Sequence, residues 1–142
     1  DSIVQVILDA GVKDVKDGNG KTALMHASEK GHEFIIRMLL DAGASKDVKS
    51  HKGITALMRA SIAGHESCVQ ALLAASADKE AKDAYGNTAL MYASMFDHES
   101  YVRALLEAGA DKEAKDKDGK TAIMLASEKG HEAVVTVLRG SE

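Results

Sequence analysis

Apolar residues recur along the chain in two alternating patterns. One is short and built from small and medium side chains, as in Ala23, Leu24 and Ala27. The other is longer and more aliphatic, as in Ile35, Ile36, Leu39 and Leu40. Both follow helical spacing, so each pair predicts a short helix followed by a second one. Gly31, Gly64 and Gly130 interrupt the chain between the two patterns, and His-Glu opens the second. Gly20, Gly53, Gly86 and Gly119 supply a turn ahead of the first pattern. Thr22, Thr55, Thr88 and Thr121 follow as N-cap candidates. Gly43 and Gly109 end the second helix as C-terminal caps. The charged KDVK and KEAKD segments carry no apolar face and read as solvated loops or hairpin arms.

The whole pattern repeats. GKTALM at 20–25 aligns with GITALM at 53–58, GNTALM at 86–91 and GKTAIM at 119–124, each step 33 residues long. A fixed period of this size indicates a stacked repeat array. Three complete units span 17–49, 50–82 and 83–115, and a fourth, 116–142, stops after its second apolar run. Residues 1–16 match only the back half of a unit, because DSIVQVILDAG aligns with EFIIRMLLDAG. That start suggests a piece of a longer array, with Ile3, Val6 and Ile7 as a contact surface. At the other end Arg139 replaces Leu40, Leu73 and Leu106, which suits a polar cap.

The repeat also disposes of a nucleotide-loop reading. Gly20-Lys21-Thr22 ends like a phosphate-binding loop, but the first glycine of G-x-x-x-x-G-K-[ST] is Val15 here, and Ala114 in the second candidate. Lysine is one filling of a free position that elsewhere holds Ile54 or Asn87.

The unit D-x-x-G-x-T-A-L-M-x-A-S-x-x-G-H-E, with its A-G-A-D ending, resembles the ankyrin repeat over essentially the whole chain. The resemblance implies an all-α solenoid of helix-turn-helix units joined by β-hairpin-like loops. It also implies a non-enzymatic protein-interaction module that binds through a concave face of hairpin tips and first helices. Ala23, Ala56, Ala89 and Ala122 stand where that family usually has proline, and Met25, Met58, Met91 and Met124 where it has histidine. Two units depart locally: Ser76 occupies a capping-glycine position and Asp97 a break-glycine position.

Composition narrows the function classes. The 142-residue chain has no proline or tryptophan and only 4% aromatics, so small aliphatic residues must build its core. A net charge of −4 gives no basic footprint for nucleic acid. No apolar run reaches the roughly 20 residues of a membrane span. The single cysteine, Cys68, aligns with Ile35, Tyr101 and Val134, so it reads as a core thiol and favours an intracellular, cytoplasmic setting. The row His32, His65, His98 and His131 reads as structural, bonding the backbone of an adjacent turn. Helices about 8–10 Å apart hold such a row too widely for one metal ion. No nucleophile, base and oxyanion site can be assembled, and neither metal nor cofactor is called for.

What differs between units is free to serve a partner. The pair after Ala-Ser reads Glu29-Lys30, Ile62-Ala63, Met95-Phe96 and Glu128-Lys129, charged in the outer units and apolar in the middle ones. The expected binding face is therefore central, formed by Ile62, Tyr85, Tyr92, Met95 and Phe96, with Lys52, Ile54, Arg59 and Asn87 beside them. The partner would be a protein or peptide and the array a monomer. Two alternatives follow from the same sequence. One is a spacer, self-associating through the partial first unit, or a designed repeat scaffold, since ADKEAKD recurs at 77–83 and 110–116. The other is a phosphate-ligand or oligonucleotide sensor using Lys21 and Lys120, which lie three units apart.

Overall fold

Small residues and a threonine cap recur before every first helix, and the chain folds accordingly. The structure, a computed structural model, describes residues 14–140. The proposed contact surface of Ile3, Val6 and Ile7 lies outside the described residues. Eight helices and no strands occur among the described residues. The first helices are α1 (Ala23–Lys30), α3 (Ala56–Ala63), α5 (Ala89–Met95) and α7 (Ala122–Glu128). Each is followed by a second helix: α2 (Glu33–Asp41), α4 (Glu66–Ala74), α6 (Glu99–Glu107) and α8 (Glu132–Gly140).

Each first helix starts on its threonine. Thr22, Thr55, Thr88 and Thr121 are extended, and their hydroxyls accept from the backbone N–H of Met25, Met58, Met91 and Met124. Such a cap satisfies one of the orphan donors of a helix start and is worth about 1 kcal/mol. Ser28, Ser61 and Ser94 are fully buried and donate back to Leu24, Leu57 and Leu90 carbonyls, so no hydroxyl is stranded in the core. The second helices α2, α4 and α6 end with the Schellman pattern. Around Gly43, the Gly43 N–H reaches the Leu40 carbonyl and the Ala44 N–H the Leu39 carbonyl.

First helices stack on first helices and second on second, so neighbouring pairs form two layers with one continuous core between them. Leu24, Met25, Leu57, Met58, Leu90 and Met91 fill it from one layer. Ile36, Leu39, Val69, Leu72, Leu105 and Leu138 fill it from the other. A single helix pair could not cover these faces, and stacking supplies the cover. Cys68 is fully buried among them, and burial pushes its thiol above the usual range. Arg139 is exposed beside Ile123 and Met124, at the place where earlier repeats have a packed leucine.

The histidine row ties the layers together. The imidazoles of His65, His98 and His131 lie 3.1, 3.4 and 2.9 Å from the carbonyls of Glu29, Ile62 and Met95, each in the preceding first helix. The role expected from sequence holds for all three. It also explains Gly31, whose φ is +80° and whose place leaves no room for a side chain: a Cβ there would lie 2.7 Å from the His65 ring. Asp97 and Ser76 adopt the same left-handed backbone without being glycine, at φ of 60° and 64°. The Asp97 carboxylate lies 3.8 Å from the His131 ring.

Candidate functional site

Loop tips and first helices make up one side of the molecule. Each tip closes on itself through its aspartate or serine: Gly86 N–H donates to the Asp83 carbonyl and Asp83 N–H to the Asn87 carbonyl, both at 3.0 Å. Consecutive tips are joined by single backbone bonds, His51 to Asn19, Ala84 to Lys52 and Lys117 to Tyr85, at 3.0–3.1 Å. The row of tips is thereby fixed relative to the helices behind it.

The third tip carries a connected aromatic group. One Asp83 carboxylate oxygen accepts from the backbone N–H groups of Tyr85 and Asn87, each at 2.9 Å. The other accepts from the Tyr92 hydroxyl. Burial, with Asp83 as the second cause, pushes the Tyr92 phenol up to about 12. The Tyr92 ring stacks on Phe96, with centroids 6.5 Å apart and planes 12° from parallel. Tyr85 is 60% exposed and Phe96 49%. Both are therefore outward-facing rings whose backbone or ring plane is held from beneath.

The sequence-derived residues divide into three groups. Tyr85, Phe96 and Lys52 are exposed. Ile62, Met95, Asn87 and Arg59 are half-buried, and Ile62 and Met95 pack against the core. Tyr92 and Ile54 are buried, at 9% and 8% exposure. Tyr92 is drawn in by Asp83 and acts as a base for Phe96. Ile54 is drawn in because its position lies next to that of Ile62. The corresponding pairs elsewhere are ion pairs, Lys21 with Glu29 at 3.4 Å and Lys120 with Glu128 at 2.8 Å. Replacing such a pair by two isoleucines turns a salt bridge into an apolar contact with the core.

Asp83 was missed in sequence although a signal existed. Asp17, Asp83 and Asp116 share one position in the period, and the residue nine further on is His26, Tyr92 or Leu125. His26 lies 2.8 Å from Asp17 as Tyr92 lies against Asp83. Bonds from Lys21 and Asn19 N–H and from His26 hold the Asp17 carboxyl down at about 2.

A cleft of about 520 Å³ lies between α6 and α8, lined by Glu99, Arg103, Glu107 and Thr136 together with Leu106 and Val137. Among the described residues no cluster of three or more metal-ligating side chains occurs, and no helix is long and apolar enough to cross a membrane.

Comparison with known proteins agrees with this architecture. No curated protein matches the chain. A family model for ankyrin repeats matches in three copies, over residues 1–83, 42–116 and 75–142. These overlapping matches together run the length of the sequence. The chain belongs to the ankyrin-repeat family.

Proposed function

We propose that this array binds a protein or peptide on the concave face formed by its tips and first helices, with Phe96 and Tyr85 as the central anchors. Ankyrin repeats are generally protein–protein interaction modules. The observation that carries the reading for this chain is the outward Phe96 ring, 49% exposed, stacked on a buried tyrosine whose hydroxyl is fixed by a buried aspartate. A pre-positioned aromatic loses little freedom on binding and adds a large apolar area. Ile62 and Met95 extend the apolar surface, while Lys52, Asn87 and Arg59 give it a polar rim. Interfaces with an aromatic centre and a polar rim concentrate their affinity in such anchors. The array acts by rigid presentation as a monomer and performs no chemistry.

The test is selection of peptide ligands on the wild-type array, followed by titration of the Phe96→Glu variant. Burying a phenylalanine is worth about 1.5–3 kcal/mol, so affinity falls by at least about tenfold while the melting temperature stays put. Unchanged affinity for every selected ligand removes the central patch from the binding surface.

A further inference from the structure

The junction between the first and second tips differs from the others. A polar cleft of about 250 Å³ lies there, lined by Asn19, Lys21, Ser50, His51, Lys52 and Arg59. Lys21 and Arg59 are mostly sunk into it, with 17% and 19% of their side-chain surfaces exposed. Asp17, Asp83 and Asp116 occupy one position of the period, and in the second unit that position holds Ser50. Two of those aspartates bond the residue nine further on, His26 or Tyr92. The residue nine after Ser50 is Arg59. The Ser50 hydroxyl is turned to the Ile54 N–H, from which it accepts at 3.2 Å. Arg59 therefore stands opposite a serine in a slot where two of its three counterparts bond a carboxylate.

The arginine shows the consequence. Its Nε is shielded from solvent and has no hydrogen-bond partner, the one such side-chain polar atom among the described residues. Glu29 reaches only the terminal nitrogen, at 3.9 Å, and shares its charge with Lys21 at 3.4 Å. Three cations, Lys21, Lys52 and Arg59, thus face one anion, Glu29. A buried guanidinium donor without an acceptor is costly, and a planar guanidinium fits a carboxylate well.

We infer that this cleft is a carboxylate subsite, which takes an aspartate or glutamate side chain of the partner into the place that Asp83 fills in the next tip. The inference rests on the protein-binding reading and gives that partner its chemistry: an apolar anchor for Phe96 and an acidic residue for Arg59 and Lys52. Carboxylate is favoured over phosphate because Asp17, Asp83 and Asp116 already place that group at this position of the fold.

The experiment uses the full 142-residue chain, labelled with nitrogen-15. The Arg59 Nε–Hε resonance, identified by its loss in Arg59→Lys, is followed as N-acetyl-tetraglutamate amide is added at constant ionic strength. A saturable shift is expected. Ser50→Asp supplies the internal carboxylate and keeps the residue type found at 17, 83 and 116, so the fold is retained. It should move the Arg59 resonance without ligand and weaken binding about tenfold or more. Lys52→Gln, at an exposed site, should weaken it about threefold. No saturable shift, an affinity indifferent to Ser50→Asp, or saturation by inorganic phosphate in preference to the peptide would each overturn the assignment. Phe96→Glu should leave this titration unchanged, so the subsite and the aromatic anchor stand or fall separately.

Discussion

The two outer helix pairs and the two middle ones share caps, turns and stacking but not their exposed side chains. In the outer pairs, the residue after the turn glycine and the helix residue eight further on form ion pairs, Lys21 with Glu29 and Lys120 with Glu128. In the middle pairs the same positions hold Ile54 with Ile62 and Asn87 with Met95. The backbone is indifferent to this exchange, since each first helix starts on its threonine in the same extended conformation. The more exposed of these pairs, Lys120 with Glu128, stabilises little and serves solubility more than folding. The array thus separates a frame that must repeat from a surface that need not. On the side of the tips and first helices the middle pairs expose the aromatic rings of Tyr85 and Phe96, while Phe34, on the second helix of the first pair, is also exposed.

The sharpest test of that contrast compares one residue type at equivalent positions. Met91 is 1% exposed between neighbours on both sides, whereas Met124 in the last first helix is 48% exposed. Met91→Ala should cost about 2–5 kcal/mol in denaturant unfolding and Met124→Ala less than about 1. Equal losses would show that the ends are as well covered as the middle. A smaller effect concerns the local strain of the middle pairs. Ser76→Gly removes a non-glycine residue from φ 64° and should raise stability by about 1 kcal/mol, measured by the same unfolding curves. A loss would mean that the Ser76 side chain earns its place by a contact.

The smallest expected effect is confined to alkaline pH. Tyr92 has its phenol raised from 10 to about 12 by burial and by Asp83. A raised folded-state value means that folding favours the protonated phenol. Its contribution is complete below pH 10 and fades as pH rises through 12. Absorbance titration should show a late tyrosine step that Tyr92→Phe deletes, with the alkaline loss of stability reduced alongside. A phenol ionising near 10 would detach Tyr92 from Asp83 and take away the base on which Phe96 rests.

Most of the frame could be read from the repeated residues themselves. Threonine caps, histidines bonding the preceding carbonyl, and left-handed Ser76 and Asp97 all follow from alignment of the chain with itself. The proposed binding face was legible only in part. Phe96 was recognisable as outward-facing because its counterparts Lys30 and Lys129 are charged, an argument that depends on one position alone. The same argument favoured exposure for Ile62, which is half-buried, because burial on this face is decided by pairs. Tyr92 depends on an aspartate nine residues earlier, and Ile54 lies beside Ile62 as Lys21 lies beside Glu29. Variation at a single position does not reveal whether its neighbour has varied with it.

The bonds between units have a consequence for how such a chain can change over generations. Tip bonds connect residues 19 with 51, 52 with 84 and 85 with 117, and the histidine bonds reach back 36 residues. Duplicating or excising a whole period leaves each histidine a carbonyl and each tip a neighbour, so length can drift in quanta of 33 residues. The serine–arginine junction follows another rule. It exists at one seam only, and a cut that separates Lys21 from Arg59 would leave a longer or shorter array that folds as before and has forgotten its acidic partner.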